Sequence, residues 1–247
     1  KIESDASQWI AYQGKMLKRN APYYWKVKID TNKGTTDWST PAFWTTGLFN
    51  EADWQGQWIG LDKAAPGDSE TQWSRLAARY LRKEFALKKE VKRATVHIAG
   101  MGLYELFING QRIGNQVLAP APTDYRKTIL YNTYDVTSLL QTENAIGVTL
   151  GNGRFYTMRQ NYKPYKIPTF GYPKLRLNLI VEYADGSKET IATNTTWKLT
   201  TDGPIRSNNE YDGEEYDARK ELGNWTQTGY DDKSWMPAQR VSIPSGT

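Results

Sequence analysis

The chain has 247 residues, of which 38% are hydrophobic, 13% aromatic and 24% charged. This composition is typical of a folded chain and excludes an intrinsically disordered one, which would be poor in aromatic residues. The net charge of +5 comes without a run of five or six basic residues, so we expect no nucleic-acid partner. No stretch of about 18 apolar residues predicts a membrane span, and the first residues do not resemble a secretion signal.

The sequence contains no cysteine and a single histidine, His97. The lack of cysteine excludes disulfide bonds, thiolate zinc sites, iron–sulfur clusters and cysteine nucleophiles. Serine-hydrolase triads and the common zinc enzymes need a positioned imidazole, so any such mechanism would depend on His97 alone.

The first predicted element covers Trp25–Ile29, where apolar residues alternate with lysines. A period of two is typical of a strand with one buried face. The run leads into Asn32-Lys33-Gly34, which predicts a turn, so we expect a half-buried strand and a hairpin here.

Two further alternating runs, Ala94–Ile98 and Tyr104–Ile108, predict a pair of strands. The second run leads into Asn109-Gly110, and both residues of this dipeptide tolerate the positive φ of a type I′ turn. His97 lies on the polar side of the first strand, so we expect it at the surface or on an edge strand.

The remaining strands are predicted at Ile129–Tyr131, Ile146–Leu150 and Leu175–Tyr183. No window of 12 or more residues keeps a helical period with recognisable caps. Strands that follow one another without helices predict antiparallel sheets packed face to face, so the predicted fold class is all-β, a sandwich or jelly roll.

The predicted domain boundary lies in the segment Thr46–Asp53, which precedes Trp54 and Trp58. Residues 1–48 amount to about half of a fibronectin-type or immunoglobulin-like sandwich of about 100 residues, so we expect a partial sandwich there. Residues 49–60 are predicted to form a linker and the first strand of the next domain. Residues 61–242 are predicted to form a larger jelly-roll β-sandwich of the galactose-binding-like kind.

The segment Gly151-Asn152-Gly153 follows a predicted strand and has two interpretations. It is not a dinucleotide fingerprint, because Tyr156 stands where the third glycine would be and no helix pattern follows. Two glycines at a strand end instead place Asn152, Arg154 and Tyr156 on a loop at one end of the sandwich. Such a rim can bind a polar, ring-shaped ligand, or it can be a turn that only packs.

The acidic segment Asp212–Asp217 is the densest carboxylate group of the sequence. Glycosidases need two carboxyl groups about 5 to 10 Å apart, and calcium needs six to eight oxygen ligands. On a strand, Asp212 and Glu214 would share one face while Glu215 and Asp217 share the other, and the EF-hand spacing is missing. Pairing with the surplus lysines and arginines is the alternative interpretation.

Seven ordered stretches between about residues 54 and 240 carry a family resemblance. They are Trp58–Gly60, Ala78–Phe85, Ala99–Gly110, Pro122–Lys127, Tyr134–Thr137, Leu150–Gly153 and Tyr211–Arg219. In order and spacing they resemble the N-terminal, non-catalytic region of bacterial α-L-rhamnosidases. Tyr23–Thr46 resembles the end of the fibronectin-type domain that commonly precedes that region, and Tyr230–Trp235 is similar to a motif of jelly-roll accessory domains in many glycosidases.

The resemblance implies that hydrolysis takes place elsewhere in a parent enzyme. Such enzymes carry an (α/α) barrel after these β domains and invert the configuration of terminal rhamnosides. Nothing in this sequence resembles that barrel, so we expect no catalytic residues in this chain. In part of the family the corresponding jelly roll binds rhamnose with the help of calcium, so no cofactor is expected to be required but calcium is possible. A parent that degrades polysaccharides is expected in the periplasm or outside the cell.

The leading hypothesis is therefore an accessory region that supports the catalytic barrel, or that holds a rhamnose-containing glycan or another sugar near it. The residues predicted to bind the sugar are Asp124, Arg126, Asn152, Arg154, Tyr156 and Tyr165. The amide, carboxylate and guanidinium groups among them would hydrogen-bond hydroxyl groups, and the tyrosines would stack on a sugar ring. A purely structural scaffold, and a self-sufficient glycosidase that uses Asp212–Asp217, are the alternatives.

Overall fold

The computed structural model describes residues 4, 6, 8–63, 76–157 and 170–243. The chain divides into two compact units, Lys1–Asp53 and Trp54–Thr247. In the described residues the regular structure consists of β-strands and short 3₁₀ helices, so the all-β prediction is confirmed. Within the described ranges, no helix is long and apolar enough to cross a membrane.

The first unit contains two small antiparallel sheets. Strand β1 (Pro22–Trp25) pairs with β4 (Ala42–Thr45), and β2 (Asp30–Thr31) pairs with β3 (Gly34–Thr35) across the predicted turn. The prediction of one half-buried strand over Trp25–Ile29 is wrong. Strand β1 ends at Trp25, and the side chains of Trp25, Val27 and Ile29 are exposed, because sheets of two short strands are too small to cover an apolar face.

The second unit contains the remaining strands. In chain order they are β5 (Ile59–Gly60), β6 (Arg79–Ala86), β7 (Val91–Met101), β8 (Leu103–Ile108), β9 (Gln111–Ile113), β10 (Asn132–Asp135), β11 (Glu143–Gly151), β12 (Lys174–Tyr183), β13 (Lys188–Ala192), β14 (Lys198–Thr200), β15 (Ile205–Asn209), β16 (Gly213–Tyr216), β17 (Met236–Pro237) and β18 (Gln239–Arg240). Short 3₁₀ helices occur at Glu51–Asp53, Thr137–Leu139 and Ala218–Lys220.

Two six-stranded antiparallel sheets enclose the main hydrophobic core of this unit. One has the order β10-β7-β12-β5-β18 with β13 beside β12, and the other has the order β17-β14-β6-β11-β8-β9. The core joins Ile98 and Leu177 of the first sheet to Leu106 and Val148 of the second. The inward positions of each strand are apolar, which is the pattern that stabilises two sheets packed face to face, and the predicted β-sandwich is confirmed.

The hairpin between β8 and β9 is the one that the sequence predicts. Ile108 pairs with Gln111, so Asn109 and Gly110 form a two-residue loop. Their φ angles are +50° and +83°, as a type I′ turn requires.

The position predicted for His97 is wrong. Strand β7 lies between β10 and β12, so it is not an edge strand, and the His97 side chain is fully buried. Its Nδ1 lies 3.0 Å from the hydroxyl oxygen of Thr133, and the rings of Trp54 and Tyr131 pack against it edge-to-face. A layer of aromatic side chains covers the outer face of the sheet here, so both faces of β7 are buried.

Candidate functional site

A cavity of about 800 Å³ opens at one end of the second sheet. Strands β8 and β11 are antiparallel, and Leu103 at the start of β8 pairs with Gly151 at the end of β11. Both residues therefore lie at this end of the sheet. The β15–β16 hairpin pairs Asn208 with Glu214 and adds both residues to the lining. Segments that lie far apart in the sequence therefore build the cavity.

Close packing of the hairpin on β11 depends on Gly151. A Cβ atom at this position would lie 2.8 Å from the Oδ1 of Asn208, which is too close for an unstrained contact. The backbone N–H of Asn152 donates to that same Oδ1 at 2.6 Å. The side-chain Nδ2 of Asn152 donates to the carbonyl oxygens of Leu76 at 2.9 Å and of Asn208 at 2.7 Å. Asn152, a predicted sugar-binding residue, thus lies buried behind the cavity wall and fixes Asn208.

Two amide atoms of this pair lack a hydrogen-bond partner in the part of the chain that the structure describes. They are the Oδ1 of Asn152 and the Nδ2 of Asn208, and both are buried. Leaving a buried polar atom unsatisfied costs about 1–3 kcal/mol. Asn208 lines the cavity and Asn152 lies behind it, so the unpartnered donor and acceptor are suited to a group that can both accept and donate.

Two ion pairs line the same cavity. The Nε of Arg112 lies 3.0 Å from a carboxylate oxygen of Glu105, and the Nη1 of Arg154 lies 2.5 Å from a carboxylate oxygen of Glu210. The Nη1 of Arg154 also donates to the hydroxyl of Tyr211 at 2.7 Å. The hydrogen bond with Glu210 raises the pKa of Arg154 above its usual value. The structure thus brings Arg154, another predicted sugar-binding residue, into the lining.

Asp124 and Arg126 are not in the cavity lining, whereas Tyr125 between them is. The Nε and Nη2 of Arg126 donate to the two carboxylate oxygens of Asp124 at 2.9 and 3.3 Å. The hydrogen bond from Arg126 holds the pKa of Asp124 below its usual value. Tyr125 is buried, and its ring packs edge-to-face on Phe155 and Phe170.

Of the two tyrosines predicted to stack on a sugar ring, Tyr156 lies within the described residues. Tyr156 is buried, and its ring stacks on that of Tyr172 with the ring centres 5.6 Å apart. One face of its ring is therefore already used by a protein neighbour. Tyr165 lies outside the described residues.

The acidic segment Asp212–Asp217 spreads over the hairpin. Asp212 accepts a hydrogen bond from the side chain of Asn209, and Glu214 lines the cavity. Asp217 accepts two hydrogen bonds from the guanidinium of Arg219, each 2.8 Å long, and these lower the pKa of Asp217 to about 2. Among the described side chains, no three His, Asp or Glu residues form a group that could hold a metal ion. The described carboxylates therefore do not group closely enough to hold a calcium ion by themselves.

Sequence reasoning missed several residues of the lining. They are Val117, Leu118, Tyr125, Asn208 and Tyr216. Tyr125 lies inside a stretch that carries the family resemblance, and Tyr216 lies inside the acidic segment Asp212–Asp217, so both had a local signal. Asn208, Val117 and Leu118 had none, because their place depends on how distant segments pack.

Comparison with known proteins assigns both units. The family described as "Alpha-L-rhamnosidase N-terminal domain" matches residues 89–247. The chain belongs to this family. The family described as "Rha78A-like, N-terminal immunoglobulin domain" matches residues 1–50, which confirms an immunoglobulin-like first unit.

Relatives in the α-L-rhamnosidase family match almost the whole chain. An "Alpha-L-rhamnosidase" of Formosa agariphila is 40% identical over 262 residues, which cover 98% of this chain and 27% of the relative. The solved structure of an α-L-rhamnosidase from Dictyoglumus thermophilum is 40% identical, with a TM-score of 0.82, and the match covers 96% of this chain and 27% of that one.

A second solved structure, an α-L-rhamnosidase from Aspergillus terreus, is 33% identical, with a TM-score of 0.88 and coverage of 99% of this chain and 28% of that one. The chain thus spans about a quarter of the length of these relatives.

Proposed function

We propose that this chain is a non-catalytic N-terminal region of an α-L-rhamnosidase and that its cavity holds a terminal rhamnose unit. Membership of the α-L-rhamnosidase N-terminal domain family supports the first part. The observation that carries the second part is the pair of buried, unpartnered amide atoms, Asn152 Oδ1 and Asn208 Nδ2. A sugar hydroxyl, or a water that it holds, can accept from Asn208 and donate to Asn152.

The remaining lining also suits a small saccharide. Tyr104, Tyr125 and Tyr216 contribute aromatic surface, which packs on the apolar face of a sugar ring. The ion pairs of Arg112 and Arg154 provide charged hydrogen-bonding groups beside it. A mostly apolar cavity with a few well-placed polar groups is typical of a ligand site.

The electrostatics of the acidic segment favour binding over hydrolysis. A glycosidase needs a carboxylic acid whose pKa is raised, so that it carries a proton near neutral pH. The pKa of Asp217 is instead lowered to about 2 by the hydrogen bonds from Arg219. Glu105 and Glu210, which line the cavity together with Glu214, each form an ion pair with an arginine. Hydrolysis of rhamnosides is therefore assigned, in this proposal, to the (α/α) barrel of the parent enzyme, which this region would support.

The proposal is tested by isothermal titration of the chain with L-rhamnose, with calcium and with a chelator. We expect weak binding, and we expect Asn208→Asp to reduce the affinity at least tenfold. The aspartate keeps the oxygen that accepts from the Asn152 N–H, but it replaces the donor Nδ2 by a second acceptor. One lost hydrogen bond to a buried group accounts for a change of this size.

Asn194→Asp is the matched control, because Asn194 is not part of the cavity lining and its Oδ1 accepts from Thr196 in a local turn. This variant should bind L-rhamnose as the wild type does. No heat at millimolar L-rhamnose under either condition would contradict the sugar site and favour the purely structural role.

A further inference from the structure

Two exposed apolar side chains form part of the cavity lining. Val117 and Leu118, here called the loop tip, lie in the segment that joins β9 to β10, and both line the cavity. They are 81% and 70% exposed, so they add little to the hydrophobic core. Their place at the cavity gives them a surface on which a ligand could pack.

The backbone on both sides of this loop tip is held in place. The guanidinium of Arg112 donates to the carbonyl oxygens of Gly114 at 3.2 Å and of Gln116 at 2.8 Å. On the other side, the backbone N–H of Tyr104 donates to the carbonyl oxygen of Ala119 at 2.8 Å. The loop tip is thus presented to the cavity in a preformed conformation, which reduces the entropy that a ligand must overcome.

Leu118 adopts a backbone conformation that is unfavourable for leucine. Its φ angle is +59°, in the left-handed region that side chains with a Cβ atom rarely occupy. Such strain persists only where the surroundings impose it, and it is concentrated at sites that contact ligands.

The lining differs in polarity from one segment to another. The loop contributes the apolar residues Val117, Leu118 and Pro122. The β15–β16 hairpin contributes Ile205 and Tyr216, but also the polar residues Asn208, Asn209, Glu210 and Glu214. A cavity of this kind complements a ligand that has hydroxyl groups on one part and an apolar group on another.

We propose that the Val117–Leu118 loop tip contacts the methyl group of a 6-deoxyhexose and selects it over the corresponding hexose. This inference rests on the proposed function, since it assumes that the cavity binds rhamnose. L-Rhamnose and L-mannose differ only at carbon 6, which is a methyl group in the first and a hydroxymethyl group in the second. Burying the methyl group of L-rhamnose against apolar side chains makes the free energy of binding more favourable. Burying the hydroxyl group of L-mannose there makes it less favourable, because the hydroxyl loses its hydration.

The test is isothermal titration of the full chain with both sugars. We expect the wild type to bind L-rhamnose at least fivefold more tightly than L-mannose, which is the scale of one buried methyl group. Leu118→Asn should weaken L-rhamnose about fivefold and change L-mannose less than twofold. Asparagine tolerates a positive φ, so the loop backbone is preserved. Val117→Thr, which replaces a methyl by a hydroxyl at similar volume, should act in the same direction.

Leu130→Asn serves as the matched control, since Leu130 is an exposed leucine that is not part of the cavity lining. It should leave both affinities unchanged. Equal losses for the two sugars in Leu118→Asn and Val117→Thr, or no loss at all, would overturn the loop-tip inference while leaving the sugar site intact. A wild type that binds neither sugar would overturn the proposed function and this inference together.

Discussion

The imidazole of His97 is enclosed by aromatic rings in the middle of a sheet. Burial disfavours the charged imidazolium, and the positive charge of Arg93 adds to this effect, so the pKa of His97 is lowered from 6.5 to about 4. His97 is therefore neutral in the folded protein at pH 7. In the unfolded chain it titrates near its ordinary pKa of about 6.5.

The lowered pKa predicts a loss of stability in mild acid. Between pH 6.5 and pH 4 the unfolded chain binds a proton at His97 that the folded protein does not, so the free energy of unfolding falls as the pH falls. We expect His97 to contribute about 2–3 kcal/mol to this decrease. Urea unfolding at a series of pH values between 7 and 4 measures it.

His97→Asn is the control for this pH dependence. An asparagine amide can replace the Nδ1 contact with Thr133, but it does not titrate. The variant should lose less stability than the wild type between pH 6.5 and pH 4. Parallel curves for the two proteins would show that His97 does not titrate as proposed.

Among the contacts between strands and loops, Arg82 of β6 binds the segment Trp225–Trp235 to the sandwich. Its side chain is almost fully buried. The Nε donates to the carbonyl oxygen of Trp225 at 2.9 Å, and the Nη2 donates to that of Gln227 at 3.0 Å. The guanidinium also forms ion pairs with Glu84 and Asp232. One side chain thus satisfies polar groups from two distant parts of the chain.

Removing this guanidinium should destabilise the sandwich strongly. We expect Arg82→Met to lower the free energy of unfolding by about 3 kcal/mol or more, because the carbonyl groups and carboxylates lose a shared buried partner. Denaturation in urea gives the value. Lys83→Met is the control on the same strand. Lys83 makes an exposed contact with Thr196, so its loss should cost less than about 0.5 kcal/mol.

At the scale of the whole molecule, the proposal separates sugar binding from hydrolysis. We expect the purified chain to release no p-nitrophenol from p-nitrophenyl α-L-rhamnoside above the uncatalysed rate. The reason is that Asp217 is held ionised and that Glu105 and Glu210, which line the cavity together with Glu214, are paired with arginines. Turnover by the wild type that disappears in Glu214→Gln or Asp217→Asn would show that the acidic segment is catalytic after all.

The candidate site could be predicted from the sequence only in part. The glycines on either side of Asn152 predicted a loop at one end of the sandwich, and the cavity lies at that end. Arg154 of this loop lines the cavity, as predicted. Asn208 gave no local signal, because it meets Asn152 across 56 positions of the sequence. Asp124 and Arg126 were predicted to bind the sugar, but they pair with each other, and Tyr125 between them lines the cavity.

The all-β class and the Asn109-Gly110 hairpin were determined by the sequence alone, because period-two alternation and turn chemistry act between neighbouring residues. The order of the strands, the burial of His97 and the position of Leu118 at the cavity were decided only by the tertiary structure. These features depend on which distant segments cover a strand or meet at its end. The residues next to a side chain in the sequence do not determine that packing.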